Sequence, residues 1–302
     1  MSNEIKDYDL SIGICGFGFV GNAIYHFFKN KFIKSNNILF NKHYTMNVYD
    51  KYKNINMFNI LLNTDIIYIC LPTNYNEMIR TYDMTEIDHT IRLLNENNYK
   101  GIILIKSTIQ PLYCTTINSL YPNLIIIHNP EFLCAISAVD DFANQYHIIL
   151  GFTPQSVNYT TYMYEFYKIL FPHAVISTTN SIVSAMVKLS CNSFYATKIE
   201  FFTEIYLLCN KLNINYDTVK DLMLKNRWIN PMHTTIPGHD NIISFGGACL
   251  PKDIMALNQF MINNNSMNGV VESVIKERNI IRCNNTSNVT SNNNTNKRRN
   301  SI

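Results

Sequence analysis

Short apolar runs alternate with longer amphipathic stretches through the first 178 residues. Ser11-Ile12-Gly13-Ile14-Cys15 is followed by Gly16-Phe17-Gly18-Phe19-Val20-Gly21, after which Ala23, Ile24, Phe27 and Phe28 recur at helical spacing. This pattern predicts strand, tight turn, helix. Further runs stand at Met46-Asn47-Val48-Tyr49, Ile66-Ile67-Tyr68-Ile69-Cys70-Leu71, Ile102-Ile103-Leu104-Ile105, Leu124-Ile125-Ile126-Ile127 and Ile148-Ile149-Leu150. Each is nearly continuous in apolar character and set off by polar or amphipathic chain, as parallel strands buried on both faces are. The prediction for residues 1–178 is an α/β domain with a doubly wound parallel sheet.

The texture changes near Ser177-Thr178-Thr179-Asn180. From Ser181 to about Lys211 the chain is free of Gly and Pro and amphipathic, which predicts one long helix, and a shorter one is expected from Tyr216 to Lys225. A loop containing Pro231, Pro237, Gly238, Gly246 and Gly247 leads to Pro251-Lys252-Asp253, a helix over about 254–262 and a last helix from Val270 to about Ile281. Residues 179–283 thus form a helical second domain. The remainder, 284–302, is rich in Asn, Thr and Ser and is expected to be a disordered tail.

Composition narrows the function. The 25 basic and 22 acidic residues leave a net charge of +3, too weak a field to favour nucleic acid or anionic membranes. No apolar run reaches the roughly 20 residues of a bilayer span, and the polar start carries no signal-peptide pattern. Eight scattered cysteines, without a C-x-x-C pair or zinc-ligand spacing, fit a reducing compartment and imply no metal. The expectation is a cytoplasmic protein.

Only ten glycines are present, and seven fall within 13–21 and 238–247. The first group fits G-x-G-x-x-G between a strand and a helix, a Rossmann-like dinucleotide turn. Gly16 makes the bend, Gly18 lets a pyrophosphate approach the backbone, and Gly21 allows close helix packing. Asp50, closing the second strand, is placed to accept the adenosine ribose hydroxyls and to favour NAD over NADP. Its distance from Gly21 requires an insertion around Lys31–His43. A glycine turn kept for packing alone is the competing reading. The second group, Phe245-Gly246-Gly247-Ala248-Cys249-Leu250-Pro251-Lys252-Asp253, sets a cysteine beside a lysine and an aspartate near a helix start, where a thiol can act as a nucleophile. A structural cysteine is the alternative. Lys188 and Asn192 share one helix face, as a solvated pair also would. Glu131 follows Asn129-Pro130 at a strand end, a ligand position or a surface turn.

In chain order, Gly16–Gly21, Leu71-Pro72-Thr73-Asn74, Lys106-Ser107-Thr108-Ile109, Asn129-Pro130-Glu131-Phe132-Leu133 with Asp141, Lys188-Leu189 with Asn192 and Ala196-Thr197-Lys198, Arg227, His233, Pro237-Gly238 and Phe245–Asp253 resemble the UDP-glucose/GDP-mannose dehydrogenase family. The resemblance implies a two-step oxidation of a sugar C6 alcohol to a carboxylate with NAD, UDP-glucose being the favoured substrate. It makes Cys249 the nucleophile, forming a thiohemiacetal and then a thioester, with Lys188 and Asn192 steadying the oxyanion. Asp253 and Glu131 handle water and protons, and Thr108 positions a water. It also implies NAD contacts from Gly16, Gly18, Phe19, Val20, Gly21, Asp50, Thr73 and Thr108. Substrate contacts would come from Glu131, Phe132, Leu133, Lys188, Asn192, Arg227, Phe245, Gly246 and Lys252, and a homodimer would form through helix 181–211, making the second domain a helical dimerisation domain. Three departures stand out: Ala135 and Ala185 where the family usually has glutamate, and a polar tail where it has a C-terminal UDP-holding domain. A GDP-mannose or UDP-N-acetylhexosamine dehydrogenase, or a non-catalytic truncated NAD-binding relative, are the alternatives.

Overall fold

The computed structural model describes residues 10–34 and 45–282. The predicted strand, turn and helix are β1 (Ser11–Cys15) and α1 (Phe19–Lys34), followed by β2 (Thr45–Tyr49) and β3 (Ile66–Ile69). A small hairpin, β4 (Tyr75–Asn76) and β5 (Thr81–Tyr82), precedes α2 (Thr85–Glu96) and β6 (Ile102–Ile105). Then come α3 (Tyr113–Leu120), β7 (Ile125–His128), α4 (Ala138–Ala143), β8 (His147–Phe152), α5 (Thr160–Leu170) and β9 (Val175–Asn180). One seven-stranded sheet runs in the order β2-β1-β3-β6-β7-β8-β9, and every pairing is parallel except β7 with β8. The chain reverses its direction of travel across the sheet at β1, which leaves the carboxyl ends of β1 and β3 side by side at the point where ligands of open α/β sheets bind.

Period-two alternation explains why both sheet faces are dry. Ile66, Tyr68, Ile102 and Leu104 pack with Ala23, Ile24, Phe27 and Phe28 of α1 on one side, whereas Ile67, Ile69, Ile103 and Ile105 pack with Ile87, Ile91 and Leu94 of α2 on the other. At about 25 cal/mol per Å² this buried area is the main driving force for the domain.

The remaining elements are α6 (Ser181–Leu212), α7 (Tyr216–Lys225), α8 (Leu250–Asn263) and a helix over 269–282, α9. By contacts the chain forms two compact units, 1–74 with 82–188 and 75–81 with 189–302, the division falling at Lys188 within α6. The second unit has its own apolar centres, one around Ala196, Phe245, Ile254 and Val274 and another around Phe202, Cys209, Tyr216 and Ile236. Asn215 caps α7 by accepting the Thr218 N–H at 2.8 Å. No helix among the described residues is long and apolar enough to cross a membrane.

The Rossmann-like doubly wound sheet followed by helices is present, with three corrections of detail. The sheet is mostly rather than wholly parallel, because the run Ile148-Ile149-Leu150 specifies burial but not direction. β9 adds a seventh strand that the apolar runs did not mark: it is an edge strand in which only Val175 and Ile176 are apolar and no residue is fully buried. Helix α8 starts at Leu250, four residues before the expected position, with Pro251 in its first turn, where proline is tolerated. The insertion around Lys31–His43 lies mostly, and the tail 284–302 wholly, outside the described residues.

Candidate active site

Each glycine of the first turn has its own physical reason. Gly16 has φ of +94°, and a Cβ there would stand 2.7 Å from the Cys70 carbonyl oxygen; at Gly21 a Cβ would lie 2.0 Å from the Gly16 oxygen. Gly18 faces open space, with nothing within 4 Å of a Cβ position. The turn therefore bends at Gly16, packs at Gly21 and leaves an open backbone surface at Gly18, directly before the amino end of the 16-residue α1. That arrangement fits a pyrophosphate held by backbone N–H groups and the positive helix end. Phe19 and Val20 form the first turn of α1.

Asp50 lies beside this turn. Its Oδ2 accepts the Phe17 N–H at 2.7 Å, and its Oδ1 accepts those of Tyr52 and Lys53 at 3.0 and 2.9 Å. Three of about four acceptor positions of the carboxylate are thus used in holding the turn to the end of β2. On the next strands, Thr73 donates its hydroxyl to the Thr108 carbonyl at 2.7 Å and Ser107 donates to that of Leu71 at 2.6 Å, which ties the loops after β3 and β6 together.

A buried polar chain follows along the carboxyl ends of β6 and β7. Lys106, 2% exposed, donates to Asn129 Oδ1 at 3.0 Å. The same oxygen accepts the Tyr167 hydroxyl at 2.5 Å, while Asn129 Nδ2 donates to the Ile149 carbonyl at 2.8 Å. Burial lowers the Lys106 ammonium to about 8, with the Cys70 and Glu131 charges opposing and Lys188 reinforcing the shift. Two residues past Asn129, Glu131 accepts the Leu133 N–H on one oxygen at 2.7 Å and faces Lys188 Nζ with the other at 3.4 Å. Lys188 also lies 5.0 Å from the centroid of the Phe132 ring, a cation–π contact. Asp141 holds the following loop by accepting the Cys134 N–H at 2.8 Å and the Ser137 hydroxyl at 2.9 Å. Ala135 is exposed in that loop, and Ala185 is buried in the core.

The second unit holds the other group. Asp253 is fully buried; its Oδ2 accepts the Asn192 amide at 2.5 Å and its Oδ1 the Lys252 ammonium at 2.6 Å. Asp253 lies in the first turn of α8, and Cys249 is the residue that precedes this helix. A helix amino end favours an anionic sulfur. Gly247, at φ of +76°, bends the approach to Cys249, and Gly246 leaves room for the Arg282 guanidinium, which would lie 2.8 Å from a Cβ. Phe245 is buried, its carbonyl accepting Arg278 Nε at 3.1 Å. Arg227 is exposed in the loop after α7.

Sequence reasoning placed no role on Asn129, Lys106, His128 or Tyr167, although the first two stand in the quoted motifs. His128 Nδ1 lies 2.7 Å from the Ser184 hydroxyl of α6, and burial, with the Lys106 and Lys188 charges adding, pulls its pKa down to about 3. Polar residues closing apolar strands were the available signal.

The family's NAD binding domain matches residues 42–171, and its central domain, described as UDP-glucose/GDP-mannose dehydrogenase family, matches residues 183–279. The chain belongs to this family. Its first domain is an NAD-binding domain, and the glycine turn, which precedes the matched range, has the geometry that role needs. The chain is 32% identical over 237 residues to a UDP-glucose 6-dehydrogenase of Rickettsia typhi, a match covering 75% of this chain and 52% of that protein. It spans about half the length of the curated relatives it matches. A UDP-glucose dehydrogenase structure from Pyrobaculum islandicum superposes with a TM-score of 0.73 at 17% identity, covering 92% of this chain and 69% of that one. A UDP-D-ManNAc dehydrogenase structure from Pyrococcus horikoshii gives 0.72 at 19% identity, with 93% and 71% covered. At these identities the two structures speak for the fold.

Two predictions follow from this geometry. Gly18→Ala should melt like the wild type yet bind NAD roughly tenfold or more weakly, about 1.4 kcal/mol. Gly21→Ala should lose about 1–3 kcal/mol of stability through overpacking. Calorimetric titration and thermal melts check both, and a Gly18→Ala chain with unchanged NAD affinity would remove the pyrophosphate from this turn. For His128, the unfolded chain takes up a proton below about pH 6.5, whereas the folded chain resists protonation down to about 3. Its contribution to stability is thus complete above pH 6.5 and is lost as pH falls towards 3. In urea titrations across that window His128→Asn should show a shallower loss than the wild type; parallel curves would contradict the assignment.

Proposed function

We propose that this chain catalyses the NAD-dependent, two-step oxidation of UDP-glucose to UDP-glucuronate as a cytoplasmic homodimer. The observation that carries the reading is Cys249 at the amino end of α8, followed in the helix's first turn by a buried Asp253 bound to Asn192 and Lys252. A cysteine kept for packing would not need a desolvated carboxylate positioned by two polar partners one turn away. NAD, when bound, supplies the hydride acceptor for each oxidation.

In this reading the Lys188 ammonium stabilises negative charge on the C6 oxygen, and its burial makes that charge count for more than it would in water. The Cys249 sulfur adds to the C6 aldehyde and keeps it tethered as a thiohemiacetal, which a free hydrated aldehyde would not be. Water opens the later thioester, with Asp253 and Glu131 accepting and returning its proton and Thr108 positioning a water molecule. Asn192 holds Asp253 and steadies the oxyanion. Asp50 would use its remaining acceptor position on the adenosine ribose. Phe132, Leu133, Arg227, Phe245, Gly246 and Lys252 are assigned to the nucleotide sugar. The names of the relatives support UDP-glucose, and the family description, which joins UDP-glucose with GDP-mannose dehydrogenases, supports as a second reading the same chemistry on another nucleotide sugar. The cytoplasmic placement rests on composition.

The homodimer is supported by α6, on which Phe194, Phe201 and Leu208 recur every seven residues and are 63%, 49% and 51% exposed, an apolar stripe suited to a second helix.

Three experiments test the proposal. NADH formation should be seen with UDP-glucose in a panel of nucleotide sugars, and Cys249→Ser should lose carboxylate production by about 100-fold or more while NAD affinity is retained. Wild-type carboxylate output from Cys249→Ser would overturn the covalent route, and silence across the panel would favour a non-catalytic NAD-binding role. In sedimentation the wild type should run at twice its 35.0 kDa and Phe201→Glu at the monomer mass; a monomeric wild type would dismiss the α6 interface.

A further inference from the structure

The segment that delivers Cys249 to the start of α8 has no regular structure of its own, yet it is tightly held. Ser244 is 3% exposed and adopts φ of 68°, a left-handed conformation that costs a side-chain-bearing residue free energy unless its surroundings impose it. All its polar groups are engaged. The N–H donates to Thr203 Oγ1 at 3.2 Å, the hydroxyl donates to Glu200 Oε2 at 2.5 Å, and the carbonyl accepts from Arg282 at 2.7 Å. Thr203 and Glu200 both belong to α6.

Glu200 is itself 2% exposed. Its Oε1 has no hydrogen-bond partner among the described residues, so the Ser244 hydroxyl is the bond that compensates the burial of this carboxyl. Burial raises its pKa, with the Ser244 hydrogen bond opposing. Five residues beyond Ser244 stands Cys249, and four residues beyond that Asp253 accepts from Asn192, which α6 also carries. The same helix therefore holds the cysteine segment on both flanks, through Glu200 before the sulfur and through Asn192 after it.

We propose that Glu200 is a positioning residue for Cys249: its hydrogen bond keeps Ser244 left-handed, and Ser244 sets the direction in which Gly246-Gly247 carries the thiol to the amino end of α8. This inference rests on Cys249 being the nucleophile. It predicts a specific rescue. Glycine adopts positive φ without a partner, so Ser244→Gly should make the Glu200 bond dispensable, and Glu200→Gln, which still accepts the hydroxyl, should preserve it.

The test uses the full chain and two readouts, turnover of UDP-glucose and the rate at which iodoacetamide alkylates Cys249 relative to the exposed Cys134, followed by mass spectrometry. Glu200→Ala should lower kcat by about tenfold or more with the KM for NAD unchanged, and should alter the Cys249 alkylation rate about as much while leaving Cys134 alone. Glu200→Gln and the double variant Glu200→Ala/Ser244→Gly should stay within about threefold of wild type. If Glu200→Ala does not fold, those two variants still decide the matter: a Glu200→Ala/Ser244→Gly chain that folds but has lost kcat overturns the proposal. An active wild type with an unaffected Glu200→Ala overturns it as well and leaves the functional reading standing. A Cys249 alkylation rate altered in Glu200→Ala and restored in Glu200→Gln, in a chain that turns over no nucleotide sugar, supports the positioning role and rejects the proposed activity.

Discussion

The Lys188 ammonium and the Glu131 carboxylate are 5% and 9% exposed and stand 3.4 Å apart, and the first unit's polar end depends on their pairing. Either charge alone in that environment would be uncompensated, and breaking a buried pair typically costs about 3–5 kcal/mol. The pair consequently fixes the chain after β7 to α6. Asn129 fixes the same chain from below, because Lys106 and Tyr167 share its oxygen and Ile149 takes its amide. A pair this dry is weak evidence for stability, since apolar residues of equal volume would do as well. It makes better sense as a preorganised cation whose field is not diluted by water.

The second unit meets the same constraint with different residues. Asp253 is fully buried and compensated by Asn192 and Lys252, and its backbone is already fixed by the first turn of α8. The glycines before it serve two ends: Gly247 turns the chain at positive φ, and Gly246 makes room for the Arg282 guanidinium. Each unit thus sets a buried carboxylate near the end of a regular element, Glu131 just after β7 and Asp253 in the first turn of α8, and pairs it with a side chain from the body of α6, Lys188 in the first unit and Asn192 in the second.

Much of this was legible in the chain. Apolar runs marked six strands of the main sheet, and the spacing of the glycines foretold a bend at Gly16 and close packing at Gly21, while Gly18 faces open space. Less legible were features decided by tertiary context. The direction of β8 is not encoded in a run that is apolar along its length, and β9 is an edge strand whose two apolar residues, Val175 and Ile176, are followed by four polar ones that resemble loop. The residues quoted in motifs were brought into two groups, Glu131 with Lys188 and Asn192 with Asp253 and Lys252, but their supports were not visible. Nothing in the spacing of Lys106, Asn129 and Tyr167 announces a shared hydrogen-bond acceptor, since the contact joins positions far apart in the chain. Asp50 was expected at the ribose, and what the structure shows is that it fastens the glycine turn through Phe17.

The proposed reaction carries a sugar alcohol through the aldehyde to the carboxylate on a tethered cysteine. The most direct measurement is the stoichiometry of a completed reaction: NADH formed against UDP-glucose consumed, with any free aldehyde trapped by a hydrazine. Two NADH per sugar and no trapped aldehyde are expected. One NADH per sugar with the aldehyde recovered as its hydrazone would contradict it.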